Sequence, residues 1–213
     1  MPNSQVRLHP KSANYYLSLA TFAFLNLSIL LNHSLLLYYK IVYIIDELIN
    51  SFSENYREQL GMVIYFYKVY EPYGCFSNFS PHGIFLEGEY WQTVEHYYQA
   101  NKFLGTKDSV FIPIIKAATT PEKAASLGRA STRKVRPDWE QVKCSIMRQA
   151  VLTKFLTHSD IQKILLATGE QLIVEKSLTD YYWGCGLDNT GQNNLGQILM
   201  SVRQEIRELK NRN

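Results

Sequence analysis

Cysteine is scarce. Cys75, Cys144 and Cys185 are the three among 213 residues, an odd number with no CxxC pair. That argues against a disulfide framework and against a cysteine-rich zinc site, and it fits a reduced, intracellular setting. Histidine is equally thin: His9, His33, His82, His96 and His158 are scattered, and none stands at metal-ligand spacing with a cysteine or second histidine. Zinc catalysis is therefore not expected, and neither a metal nor a cofactor is assigned. The chain has no HExxH, no Walker A loop and no G-x-S-x-G, and Gly184-x-Gly186 is followed by Gly191, which fails G-x-G-x-x-G. Charge of one sign is also lacking. Against 19 acidic residues stand 22 basic ones, and a net +3 without a long charged block does not announce a nucleic-acid binder.

Charge is missing locally as well. From Ser12 to Tyr39 there is no Asp, Glu, Lys or Arg, and the apolar run continues past Lys40 to Ile45. A spanning helix needs about 20 mostly apolar residues, so this segment is long enough, although Asn26, Asn32, His33 and Ser34 each want a polar partner in hydrocarbon. Three readings stay open for residues 1–61. They are upstream sequence without function from a misassigned start, a membrane-associated helix within residues 12–45, or a signal, although no A-x-A-like cleavage site follows the run. Residues 1–61 hold four basic and four acidic side chains, so the whole +3 belongs to residues 62–213. The expected organisation is a hydrophobic leader over 1–61 and one compact domain over 62–213.

Within that domain the local signals are clear. Val63–Tyr70 is β-branched and aromatic, as a strand is. Ile84–Leu86 and Glu89–Trp91 flank Glu87–Gly88, a tight hairpin turn. Thr93 is placed to cap a helix running to about Phe103, with Gly105 beyond it. Thr120–Pro121–Glu122 opens a helix that stops at Gly128. Pro137–Asp138 opens a longer one to about Thr157, and Ser159 or Asp160 opens another ending near Gly169. Leu172–Val174 reads as a short strand. Leu195, Ile198, Val202, Ile206 and Leu209 form the apolar stripe of a last helix. Strands come early, helices late, and no regular βαβ alternation appears. The fold class is α+β, a mostly helical domain with a small early sheet.

Three constellations carry chemistry. Glu95 stands in a first helical turn, among Tyr90, Trp91, Tyr97 and Tyr98. The helix dipole favours its ionised form while an apolar wall raises its pKa, so it is either a base for water or a helix-end ornament. Asp180 to Gly196 is a Gly-rich, aromatic loop entering a helix, and it either holds phosphate and a base or is a long turn plugged by Trp183. Arg129, Arg133, Lys134 and Arg136 place four cations in eight residues, suited to a phosphate or to solvent. For Cys144 a structural position buried on a helix is expected.

Taken in order, these segments resemble the NADAR (YbiA-like) family. The residues that carry the likeness are Phe76-Ser77-Asn78-Phe79 and Trp91-x-Thr93-Val94-Glu95-His96-Tyr97-x-Gln99-Ala100-x-Lys102-Phe103. Further on they are Gly128-Arg129, Arg136-x-x-Trp139, Met147, Lys154-Phe155, Asp180-x-Tyr182-Trp183-Gly184 and Asn194-Leu195-Gly196-x-x-Leu199-Met200. The resemblance covers roughly residues 63–209 and implies a metal-independent, cytoplasmic N-glycosidase, membrane-anchored only if the leader is an anchor. The implied substrates are phosphoribosylamino-pyrimidine intermediates of riboflavin synthesis, or ADP-ribose attached to guanine, ADP-ribosylated nucleic acid included. Both reactions break a bond between ribose C1′ and nitrogen through an oxocarbenium-like state. Carried over, Glu95 matches the catalytic glutamate, and Asp180 a partner that orients ribose or leaving group. Tyr182 and Trp183 wall the base or ribose, and Asn78 and Lys102 are polar contacts. Arg129 and Arg136 hold phosphate or pair internally, and Asn194 either caps the last helix or touches substrate. The Gly184-Cys185-Gly186-Leu187-Asp188 loop departs from many bacterial relatives, which leaves base preference open. The rival reading is a non-catalytic ADP-ribose or nucleotide-binding module, in which Glu95 is dispensable.

Overall fold

The computed structural model describes residues 40–45 and 63–212. The chain divides into two compact units, Met1–Tyr56 and Arg57–Asn213. In the first, residues 40–45 are helical, and the charge-free segment Ser12–Tyr39 lies outside the described residues. No helix among the described residues is long and apolar enough to cross a membrane.

The second unit is α+β and mostly helical. Its strands are β1 (Val63–Phe66), β2 (Ile84–Leu86), β3 (Glu89–Trp91) and β4 (Leu172–Glu175). Its helices are α1 (Val94–Asn101), α2 (Ile112–Lys116), α3 (Pro121–Gly128), α4 (Trp139–Thr157), α5 (Ser159–Ala167) and α6 (Asn194–Arg212). The strands form two pairs. The hairpin β2–β3 is antiparallel, and Glu87 and Gly88 turn it with φ of 54° and 78°, the left-handed pair such a turn requires. The other pair, β1 with late β4, is parallel in register Val63↔Leu172 through Phe66↔Glu175. β1 ends earlier than the apolar run implies. After Phe66 the chain folds into turns, with the Glu71 amide donating to the Lys68 carbonyl at 3.1 Å.

Helix α1 is the centre, packed on α2, α3 and α4. All eight of its residues are buried. A helix enclosed on every side yet carrying Glu95, His96, Gln99 and Asn101 must find internal partners for its polar groups, and among these side chains the Gln99 Oε1 is left without one. Thr93 caps it, its hydroxyl accepting from the His96 amide. The His96 ring is held between the Thr93 hydroxyl (2.8 Å) and the Ala118 carbonyl (3.0 Å), and burial lowers its pKa. His96 is thereby a neutral structural tie rather than a partner for Glu95.

The capping hydroxyl of Thr120 and Pro121 in the first turn start α3 as the local sequence dictates. Asp138 precedes α4 but gives it no side-chain cap, because both carboxylate oxygens hold Arg136. On α6 the stripe Leu195, Ile198, Val202 and Ile206 is buried, whereas Leu209 is 39% exposed, as the last turns run past the core. The core joins these residues to Ile64, Phe66, Phe76, Phe103, Met147, Val151, Phe155 and Ile173.

Candidate active site

Glu95 is the buried carboxylate at the N-terminal turn of α1, 1% exposed. The Asn78 side-chain amide donates to its Oε2 at 2.5 Å, and the Gln99 amide donates to Oε1 at 2.7 Å. The Glu95 main-chain amide in turn donates to the Asn78 carbonyl at 3.0 Å, so Asn78 grips the residue at two points. Burial raises the pKa of Glu95, and the two amides together with the charges of Arg129 and Lys102 oppose that rise. The carboxylate is desolvated yet supported, as a base needs to be.

Lys102 is the C-cap residue of the same helix, two turns beyond Glu95. Its ammonium lies 5.6 Å from the Tyr98 ring centre and 5.7 Å from that of Trp139, and it reaches the Gly128 carbonyl at 3.4 Å. Desolvation lowers its pKa to about 8, against the pull of Glu95. Arg129 follows α3, exposed, with its charge acting on both Glu95 and Lys102. A Cβ added at Gly128 would lie 2.0 Å from the Gln99 Oε1, so the close approach of α3 to α1 that seats Gln99 depends on glycine here.

An aromatic wall faces this helix surface. Tyr98 meets Trp183 edge to face at 5.4 Å and Trp139 at 5.0 Å, and Trp183 meets Tyr182 at 5.0 Å. The Tyr182 hydroxyl is 3.0 Å from the Cys144 Sγ, and the Lys143 ammonium lies 3.6 Å over the Tyr182 ring. Cys144 is thus a half-buried support for that ring and is not a fully buried core position. Of the four aromatics grouped with Glu95 in sequence, Tyr98 shares its electrostatic environment. The other three turn away. Tyr97 packs edge-on against Trp91 and donates its hydroxyl to Glu87, and Tyr90 is 58% exposed.

Asp180 shapes the loop. Its Oδ1 accepts the amides of Tyr182 (2.9 Å) and Trp183 (2.7 Å), a turn that aims both rings. Asn194 donates to the Tyr182 carbonyl at 2.8 Å and to Gln192, so its amide ties the loop down and does not accept a helix N–H. In the basic run, Arg136 is held bidentately by Asp138 and Arg133 donates to the Leu127 carbonyl. Arg136 is therefore the internally paired option, and Arg129 is the arginine of the run whose charge acts at Glu95.

Two residues of the site were not singled out from sequence. Gln99 follows Glu95 by four positions, a helical spacing that was there to be read. Glu175 ends β4, and its carboxyl interacts with both Asp180 and Glu95. Its position after a short apolar strand gave no sign of that. Gly184 is pressed against it, where a Cβ would come within 2.8 Å of the Glu175 carbonyl oxygen.

A surface groove of about 400 Å³ between α4 and α6 is lined by Arg148, Ser201 and Glu205 among others, and no member of the Glu95 cluster lines it.

Comparison with known proteins adds the rest. The NADAR domain profile matches residues 65–207. The N-glycosidase Npun_R5314 of Nostoc punctiforme is 65% identical over 148 residues, 70% of this chain and 95% of that protein. The N-glycosidase YbiA of Escherichia coli is 40% identical over 144 residues, 68% of this chain and 88% of that one. The riboflavin biosynthesis protein PYRR of Zea mays is 42% identical over 156 residues, 68% of this chain but 25% of that longer protein. The NMR structure of Escherichia coli YbiA superposes with a TM-score of 0.65 at 39% identity, covering 70% of this chain and 88% of the other. By its sequence and its fold, the chain belongs to the NADAR domain family.

Proposed function

We propose that this chain, a hydrolase acting on N-glycosyl compounds, cleaves the bond between ribose C1′ and nitrogen in phosphoribosylamino-pyrimidine intermediates of riboflavin synthesis. The observation that carries the reading is Glu95: a buried carboxylate held by two amides, in the field of Lys102 and Arg129 and beside Tyr98, which packs on Trp183. Cleaving such a bond builds positive charge on the ribose, and an ionised carboxylate in a desolvated site stabilises that charge strongly. The same carboxylate, with its proton affinity raised by burial, accepts the proton of the attacking water. Lys102 and Arg129 suit the 5-phosphate, and the Trp183 and Tyr182 rings suit the flat pyrimidine.

Two relatives support this substrate over ADP-ribosylated guanine or nucleic acid, since the Zea mays and Vibrio vulnificus proteins carry riboflavin biosynthesis names. The cation count agrees. With Arg136 and Arg133 already engaged, Lys102 and Arg129 are the two cations whose charge acts at Glu95, enough for one phosphate. Incubating the full chain with each substrate and following free ribose 5-phosphate or ADP-ribose tests the reading. Release of ribose 5-phosphate supports it, release of ADP-ribose reassigns the substrate, and binding without release supports the non-catalytic alternative.

A further inference from the structure

Glu95 is a fully buried carboxyl and Glu175 a half-buried one, and their surroundings are opposite. Glu95 receives two amide hydrogen bonds and the field of two cations. The Glu175 Oε2 is shielded from solvent and has no hydrogen-bond partner among the described residues. The charged groups acting on Glu175 are Asp180 from the loop and Glu95 from α1, and both are acidic. The Oε2 of an ionised carboxylate in that position is neither solvated nor paired, whereas a protonated one costs little.

The placement is fixed by the main chain. The Glu175 amide donates to the Asn193 Oδ1 at 3.0 Å, and its carbonyl accepts from the Cys185 amide at 2.9 Å. Those two bonds clamp the end of β4 to the loop that carries Tyr182 and Trp183. Asp180, which aims the two rings, is also the stronger of the two charges acting on Glu175.

We propose that Glu175 is the second catalytic carboxyl, the general acid that protonates the departing nitrogen while Glu95 serves the water. The inference rests on the N-glycosidase reading of this site. In the step, the C1′–N bond breaks with its electron pair remaining on nitrogen, and the nitrogen takes the Glu175 proton. Water oxygen bonds to C1′, and its proton passes to Glu95. Solvent then restores a proton to Glu175 and removes one from Glu95. Desolvation and the two neighbouring acids push the Glu175 pKa to about 7, so the proton is held near neutral pH and still transferable.

A leaving group that needs no proton separates the two roles. The full chain, Glu175→Gln and Glu175→Asp are assayed on a phosphoribosylamino-pyrimidine and on 4-nitrophenyl riboside 5-phosphate, whose phenolate leaves unprotonated. Glu175→Gln is expected to lose about 100-fold or more in kcat on the amine substrate and less than about fivefold on the nitrophenyl one. Glu175→Asp keeps an acid one methylene short and is expected to show a smaller loss, again confined to the amine substrate. No loss on the amine, or an equal loss on both substrates in either variant, overturns the assignment while leaving Glu95 in place. If the unmodified chain cleaves neither compound, the N-glycosidase reading fails and this inference falls with it.

Discussion

Lys154 offers a test of how the fold holds the site. It is fully buried on α4, donating to the Ser77 carbonyl at 2.8 Å and to the Ser80 hydroxyl at 2.7 Å. Between those residues lies Asn78, which grips Glu95. Among the described residues no carboxylate pairs with the ammonium, and desolvation lowers its pKa from 10.5 to about 7. Between those values the unfolded chain binds more protons than the folded one, so this residue's contribution to stability rises with pH. Integrated from pH 7 to pH 9, that gain is about 2 kcal/mol. Lys154→Met removes the titration and leaves the Ser77 carbonyl and Ser80 hydroxyl without their donor, at about 1–3 kcal/mol each. The deficit of the variant should therefore widen by about 2 kcal/mol between pH 7 and pH 9. The upper limit stays below the pKa of Cys75, which burial raises above 9.0. Urea unfolding followed by tryptophan fluorescence is the assay, because Trp91, Trp139 and Trp183 all lie in the second unit. The variant should also lose activity as the Asn78 loop loosens. A deficit identical at both pH values would refute the claim that an unpaired amine is buried there.

The pH–rate profile of the unmodified chain should fall on its acid side as Glu95, with its raised pKa, gains a proton, and on its alkaline side as Glu175, at about 7, and Lys102, at about 8, lose theirs. Lys102→Met should raise KM for the phosphorylated substrate and remove the dependence of KM on pH near 8, leaving the Glu175 limb in kcat; a KM profile unchanged near pH 8 assigns that dependence to another group. Gly128→Ala drives a methyl into Gln99, so stability should drop by about 1–3 kcal/mol and kcat should fall as Glu95 loses a donor. Thermal unfolding and steady-state kinetics on the same preparation check both.

What could be read from sequence was local. The Thr93 and Thr120 caps, the Glu87–Gly88 turn and the α6 stripe each depend on residues within a few positions, and each is present in the fold. The pairing of β1 with β4 depends on Val63 meeting Leu172, a contact no local pattern encodes. For the same reason Glu175 was invisible: its neighbours Glu95 and Asp180 reach it through α1 and the loop. Helical geometry explains the misplaced aromatics, since Tyr97 lies two positions beyond Glu95 on α1 and projects from another face, whereas Tyr98 at three positions shares its face. Charge counting overstated the basic run because Asp138, two residues beyond Arg136, consumes that guanidinium.

The central claim is that Glu95 is the base and cation stabiliser of an N-glycosidase. Glu95→Gln keeps the shape of the side chain while removing its charge, and it should fold as the unmodified chain does. Single-turnover release of ribose 5-phosphate from a phosphoribosylamino-pyrimidine by this variant is the direct measurement. The account predicts a loss of at least about 100-fold with substrate binding retained, and turnover equal to that of the unmodified chain would contradict it.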